Sequence, residues 1–275
     1  MIKQNLHTHS LYCDGINSLE EMIESAIQKK FTVLGFSSHG YTPSESFGMD
    51  ENRQNSYCLE VNKLKEKYKD QIDIFLGIEQ DELYRINDPS QFDYIIGSKH
   101  YVKGEGYEHG IDCSKEVTEQ LVSSYFNNDF LSFCQCYFDD LKKMATWDEV
   151  DIIGHFDLFM KFNEDESFLS FSNKQYLKMA YETLDCLIQN NKIIEVNTGA
   201  IAKGYRTKPY PDFHLLQYIN QHNGKILLNS DCHNAKFLDE GYDIAMDLIR
   251  RAGFKSMEVL TSKGFETKDI DEFIM

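Results

Sequence analysis

The sequence predicts an α/β chain folded as a closed barrel of parallel strands with helices packed outside it. Three observations lead there. Apolar, β-rich runs alternate with helical patterns along the whole length, the order that a parallel sheet with covering helices produces. Seven such runs precede a last short strand, which favours a closed barrel over an open sheet. No Gly-rich phosphate fingerprint follows the first run, which counts against a dinucleotide-binding sheet.

The elements follow in order. A first strand covers residues 2–6. Ser18-Leu19-Glu20-Glu21 reads as a capping box, in which the Ser and Glu side chains satisfy each other's backbone N–H, and it opens a helix running to Lys30. FTVLGFSS delivers His39, and a helix follows over about 56–69. IDIFLGIE ends at Glu79 and YIIGSKH at His100. A long excursion, 101–128, is rich in Gly and charge and carries no assigned element. A helix over 129–146 precedes VDIIGH, which ends at His155. A helix over 173–190 precedes KIIEVNT, which leads to Asn197. A helix over 212–222 precedes KILLNSDCH, which ends at His233. A last helix over 238–251 and the strand SMEVLT finish the chain. No repeat, low-complexity segment or Pro/Gly/Ser linker interrupts this order, so residues 1–275 are expected to form one domain with insertions at the strand ends.

Composition narrows the function. Hydrophobic residues make up 41% and there are 4 prolines, as in ordinary globular proteins. No apolar run approaches the roughly 20 residues needed to span a bilayer. MIKQNLHTHS lacks the basic-then-apolar pattern of a signal peptide, so a cytoplasmic location is the default. The seven cysteines are scattered and include no C-x-x-C pair, which fits unpaired thiols in a reducing compartment. Cys134 and Cys136 lie two apart in a helical pattern and so point in different directions; they read as core fillers rather than shared ligands. A net charge of −17 argues against nucleic-acid and anionic-membrane partners, whose binding rests on Lys and Arg. An anionic substrate would need a local reversal of that field, which bound divalent cations supply.

In a parallel barrel, functional groups gather at the carboxyl ends of the strands. His7 and His9 follow the first run, His39 the second, Glu79 ends the third, His100 the fourth and His155 the fifth; Asp231 and His233 end the seventh. Residues two apart in an extended segment project to the same side, so His7 with His9, and Asp231 with His233, can face one cavity. Each residue alone has a plainer reading. His39 fits a turn, His100 and His155 fit hydrogen-bonded core positions, Glu79 fits a structural ion pair, and Asp231 fits a helix cap. Their recurrence at the same end of five strands is what points to a metal site. His109, His214 and His222 lie elsewhere and are expected to be exposed.

The ordered set HTH, SSHG, GIE, SKH, GHFD and SDCH, spread over residues 7–233, resembles the polymerase and histidinol phosphatase (PHP) family. The resemblance implies a distorted (β/α)7 barrel and a phosphoesterase holding two or three divalent ions, zinc, iron or manganese. It implies one sub-site of His7, His9, Glu79 and Asp231, a second that adds His100 and His155 with Glu79 bridging, and a third with His39 and His233. Where many relatives carry a further histidine this chain has Asp14, which fits either a ligand or the turn Cys13-Asp14-Gly15. The length, with GHFDLFMKFNE and EVNTGAIAKGYRTKPYP, looks most like the family's histidinol-phosphatases. This implies release of phosphate from L-histidinol phosphate in histidine biosynthesis, a metal-activated hydroxide attacking phosphorus with Glu79 and Asp231 at the reacting centre. Arginines that some relatives carry near Met160 and Ala202 are missing, and Arg206, Lys161 and Lys203 are the nearby cations that could hold phosphate, Arg206 first because a guanidinium grips it bidentately. The partner implied is a small phosphorylated metabolite, and a homo-oligomer stays open. Another small ester, a nucleotide or sugar phosphate, fits the same ligands. A metal-dependent amidohydrolase also uses H-x-H on its first strand, and an inert metal-binding protein would need no turnover at all.

Overall fold

The structure, a computed structural model, describes residues 1–43 and 47–274. Among these residues a seven-stranded, wholly parallel sheet runs in the order β1 (Gln4–Asn5), β2 (Val33–Phe36), β3 (Asp73–Asp81), β4 (Tyr94–Ser98), β7 (Ile152–Ile153), β8 (Ile193–Asn197), β9 (Lys225–Asn229). The missing labels belong to the hairpin β5 (Tyr101–Gly104)–β6 (Tyr107–Gly110), which lies outside the barrel. The last strand returns to the first. Thr8 bridges Cys232, with His9 N donating to Cys232 O at 2.8 Å and Cys232 N to His7 O at 3.1 Å. The closing bonds are therefore made by the segments that carry the predicted ligands.

Helices α1 (Leu19–Gln28), α2 (Glu51–Tyr68), α3 (Lys115–Tyr125), α4 (Phe130–Lys143), α5 (Lys174–Gln189), the single turn α6 (Gly199–Ala202), α7 (Phe213–Gln221) and α8 (Tyr242–Ala252) complete the units. The capping box forms as read: Ser18 Oγ accepts from Glu21 N, and the Glu21 carboxylate accepts from Ser18 N. Elsewhere caps move the boundaries. Asp50 accepts from Arg53 N at 2.8 Å and starts α2 five residues before the expected 56. Asn234 caps a 3₁₀ turn, Ala235–Phe237, and α8 begins only after it. The excursion is ordered, as β5–β6 and then α3, whose N-cap Ser114 accepts from Val117 N. SMEVLT, expected as the final strand, is β10 (Ser256–Thr261) and pairs antiparallel with β11 (Gly264–Asp269).

Two apolar cores result. The larger one joins the outer faces of the strands to the helices. The smaller fills the barrel with Leu6, Val33, Tyr94, Ile96, Ile152, Ile193 and Leu227, and is closed from below by Val259 and Leu260 of β10. Gln4 fastens this plug: its Oε1 accepts from Leu260 N at 2.8 Å and its Nε2 donates to Glu258 O at 3.3 Å. Tyr94 spans the barrel because Gly77 opposite has no side chain; a Cβ there would stand 2.2 Å from the ring. At the same end, Ile2 N donates to Glu272 O at 2.7 Å and Ile274 N to Ile2 O at 2.9 Å. None of the seven cysteines is in a disulfide; Cys134 is buried and Cys136 half-buried against the core. No described helix is long and apolar enough to cross a membrane.

Candidate metal centre

With the lower end plugged, the upper mouth is where the strand-end residues meet. Glu79 stands at the middle. Its Oε2 lies 3.2 Å from His7 Nε2, 3.5 Å from His9 Nε2 and 3.0 Å from His39 Nδ1, and its Oε1 lies 3.1 Å from His155 Nε2 and 3.4 Å from His100 Nε2. Asp231 Oδ1 is 3.6 Å from His7 Nε2 and 3.2 Å from His9 Nε2. Asp14 Oδ2 is 3.1 Å from His233 Nε2, and its Oδ1 is 3.6 Å from His9 Nδ1 and 3.7 Å from His39 Nε2. All nine residues expected as ligands thus converge. Their donor atoms form four overlapping groups: His9–Asp14–His39–His233, His7–Glu79–His155, His7–His9–Asp231 and His39–Glu79–His100. The division is less sharp than the resemblance implies, since His9 also faces the Asp14 group and His39 also faces Glu79.

Local backbone makes this convergence possible. Asp231 sits at φ +49°, in the left-handed region that a non-Gly residue adopts only when its surroundings hold it there. Gly199, at the start of α6, leaves room for it: a Cβ would come within 2.9 Å of Asp231 Cβ and 3.0 Å of its Oδ2.

The donor set fits divalent cations. His7 Nε2, His9 Nε2 and Glu79 Oε2 are buried and have no hydrogen-bond partner, yet they point at one another. Lone pairs facing lone pairs in a buried space call for a positive charge between them. Among protein groups alone, protonated imidazoles must supply it. Burial would lower His7, but Glu195, Glu79 and Asp231 outweigh burial and hold it well above its ordinary value. Burial would likewise lower His100, and Glu79 with Asp81 carry it up to about 9. His9, two residues from His7, goes the other way: burial, then His233 and His39, bring it down to about 3. Burial would raise Glu79, yet His7, His39 and His100 hold it well below the usual carboxylate range.

Sequence reasoning missed the carboxylates that orient the imidazoles. Glu195, wholly buried on β8, accepts from His7 Nδ1 at 2.7 Å and Asn229 Nδ2 at 2.9 Å through Oε1, and from His155 N at 2.7 Å and Asn197 Nδ2 at 2.9 Å through Oε2. Asp81 Oδ2 accepts from His100 N at 2.8 Å and stands 3.3 Å from its Nδ1. A signal for Glu195 existed: an acid inside the apolar run KIIEVN is too costly to bury unless partners await it.

Beside the histidines lies a cavity of about 260 Å³, and the predicted phosphate-binding cations fall differently around it. Lys161 and Lys203 line it. Lys161 Nζ is tied to Asp112, at 2.9 Å from its carbonyl and 3.1 Å from its carboxylate. Lys203 is an exposed residue whose ammonium has no hydrogen-bond partner among the described residues; partial desolvation at the cavity opposes its charge, but Asp231, Asp112, Asp14 and Glu79 raise its pKa. Arg206, the first choice from sequence, does not line the cavity. It is 4% exposed, and its guanidinium carbon lies 4.5 Å from the Tyr210 ring centre and 5.6 Å from that of Phe171. The cause is the turn after α6: Gly204 at φ +73° reverses the chain, and Arg206 N donates back to Ala200 O, turning the side chain inward. His109, His214 and His222 are exposed, as expected.

A parallel barrel with a histidine–carboxylate cage at one mouth is the architecture of a defined family. Residues 5–199 match the PHP domain model, and the chain belongs to that family. It is 27% identical to the probable histidinol-phosphatase of Schizosaccharomyces pombe, over 91% of this chain and 87% of that protein. It is 26% identical to the histidinol-phosphatase of Lactococcus lactis, over 94% of each. The fold matches the crystal structure of histidinol phosphate phosphatase from Lactococcus lactis, complexed with zinc, L-histidinol and phosphate (TM-score 0.72, 20% identity, 96% of this chain and 98% of that one).

Proposed function

We propose that this chain is a metal-dependent phosphomonoesterase and that its substrate is L-histidinol phosphate. The observation that carries the reading is the ring of buried, unpartnered donor atoms around Glu79, opening onto a cavity of small-metabolite size. The named relatives, one of them solved with L-histidinol and phosphate, direct the choice of ester.

His7, His9, Glu79 and Asp231 would hold one ion, His100 and His155 with Glu79 a second, and Asp14, His39 and His233 a third. Divalent ions at such a site supply Lewis acidity and bring the pKa of water to about 7. The chain's own groups do the rest. Glu195 keeps the proton of His7 on Nδ1 and turns Nε2 toward Glu79 and Asp231. Lys203 is placed to hold phosphoryl oxygens and neutralise charge that develops on them. The cavity, about 260 Å³, is of a size that takes one small ester. Burial pushes the Cys13 thiol up to about 11 and the Cys232 thiol up to about 12, so neither of these two buried cysteines offers a thiolate. The same reading takes residues 1–275 as one catalytic domain acting in the cytoplasm.

The test is to purify the protein without chelator, count metals per chain, and compare L-histidinol phosphate with nucleotide and sugar monophosphates. The expected result is bound zinc, iron or manganese, and the highest kcat/KM with L-histidinol phosphate. Bound metal without hydrolysis of any phosphomonoester would overturn the phosphatase reading. Faster turnover of another ester would overturn only the substrate.

A further inference from the structure

Behind the cavity wall, away from the histidines, lies a second set of poorly partnered buried polar groups. Arg206 Nε and Nη1, Asp157 Oδ1, and the hydroxyls of Tyr137 and Tyr176 are all buried without a well-formed hydrogen bond, and the buried Tyr210 hydroxyl has only the Arg206 guanidinium beside it. Native interiors leave few such atoms, and so many in one cluster ask for an explanation. Tyr210 is the member that also lines the cavity. Its backbone is fixed to the end of β8 by a reciprocal pair with Asn197, Tyr210 N to Asn197 O and Asn197 N to Tyr210 O, both 2.9 Å. Its ring carries the Arg206 guanidinium 4.5 Å from the centre. Asp157, whose other oxygen accepts from Asp212 N at 3.1 Å, and Asp212 balance that charge from behind. On the cavity side, Asp112 is close enough to act on the phenol. Tyr210 thus lies between a fixed cation and the cavity that it helps to line, its hydroxyl buried at the wall.

We propose that Tyr210 is the residue that recognises the alcohol part of the substrate, its hydroxyl hydrogen-bonding a polar group there, and that Arg206 is a positioning residue acting through it. This rests on the phosphomonoesterase reading above. A guanidinium stacked on a ring inside the protein cannot also reach a phosphate in the cavity, so the arginine serves recognition of the organic moiety rather than of the anion. Burial, outweighing the pull of Arg206, raises the phenol pKa, so the hydroxyl stays neutral and can both donate and accept.

The experiment measures binding of the two products separately, by calorimetry on the metal-loaded protein, so that it does not depend on turnover. L-Histidinol and inorganic phosphate are titrated into wild type, Tyr210→Phe, Arg206→Met and the double variant. Loss of one hydrogen bond is expected to weaken L-histidinol by about tenfold in Tyr210→Phe. Arg206→Met should weaken it comparably, the double variant should be no worse than Tyr210→Phe alone, and the Kd for phosphate should stay within about twofold throughout. Three results overturn the proposal: unchanged L-histidinol binding in Tyr210→Phe, additive losses in the double variant, or a tenfold loss of phosphate affinity in Arg206→Met. Failure of wild type to bind L-histidinol overturns it as well, whereas failure to hydrolyse any phosphate ester speaks against the phosphatase reading instead. If Arg206→Met does not fold, Tyr210→Phe, which keeps the ring and its packing, still decides.

Discussion

Glu195 accepts a hydrogen bond from His7 Nδ1 at 2.7 Å, with both side chains wholly buried. Its other oxygen takes the backbone N–H of His155 at 2.7 Å, so one carboxylate on β8 orients donors delivered by β1 and β7. Such outer partners fix the tautomer and the direction of a ligand, and losing one costs about 10–100-fold in metal affinity. Glu195→Gln is expected to show a loss of that size in a competitive metal titration, with the fold retained by circular dichroism. Undiminished affinity would remove Glu195 from the site's design.

Glu79→Gln should act more severely. Five imidazoles lie 3.0 to 3.5 Å from its carboxylate oxygens, and an amide supplies neither the charge nor the second acceptor. Elemental analysis is expected to find at least one ion fewer per chain, and turnover should fall with it. His222→Ala, on the exposed end of α7, serves as the control and should keep full metal content. A Glu79→Gln protein with normal metal content and rate would refute the central role assigned here.

Gly199→Ala tests the backbone. The added methyl would meet Asp231 and, at 3.1 Å, Asn197 Oδ1, and the Asp231 side chain is the group least able to yield without leaving its place beside His9. Metal content is expected to fall while the thermal midpoint moves by only a few degrees, on the order of 1 kcal/mol. A large drop in midpoint with metals retained would mean that Gly199 serves packing alone.

In the metal-free protein His100 is held up at about 9, where burial would lower it but Glu79 and Asp81 outweigh burial, with Asp112 adding from the excursion. The folded value lies above the ordinary 6.5. Its contribution to the stability of the metal-free fold is therefore complete below about 6.5 and lost as pH rises through about 9. A coordinating imidazole must give up its proton, so metal uptake at about pH 7.5 should release protons, and apparent affinity should rise between about pH 6.5 and 9. Calorimetry in buffers of different ionisation enthalpy measures the release directly. Uptake without proton release would show that the imidazoles are already neutral.

Most of the mouth was legible because strand ends and titratable residues coincide: His39, Glu79, His100, His155 and Asp231 each terminate an apolar run. What stayed hidden depended on direction rather than placement. Arg206 is correctly located near the site, but the Gly204 turn aims it inward, and nothing in GYRTKPYP fixes that aim in advance. Glu195 is a strand-interior residue whose partners come from three other strands. The first turns of α2, ENRQN, carry no apolar periodicity, so only the Asp50 cap marks their start. GFETKD is polar and forms β11 only because β10 offers it an edge.

The bonds that join Ile2 to Glu272 and Ile274 set the strand-1 lead-in and the segment after β11 next to each other, across the barrel from the cage. A covalent staple between these two segments would therefore lock the plugged floor of the barrel and leave the ligand ring undisturbed. Tethering the molecule to a support through this seam would likewise leave the entrance turned outward, toward the solution.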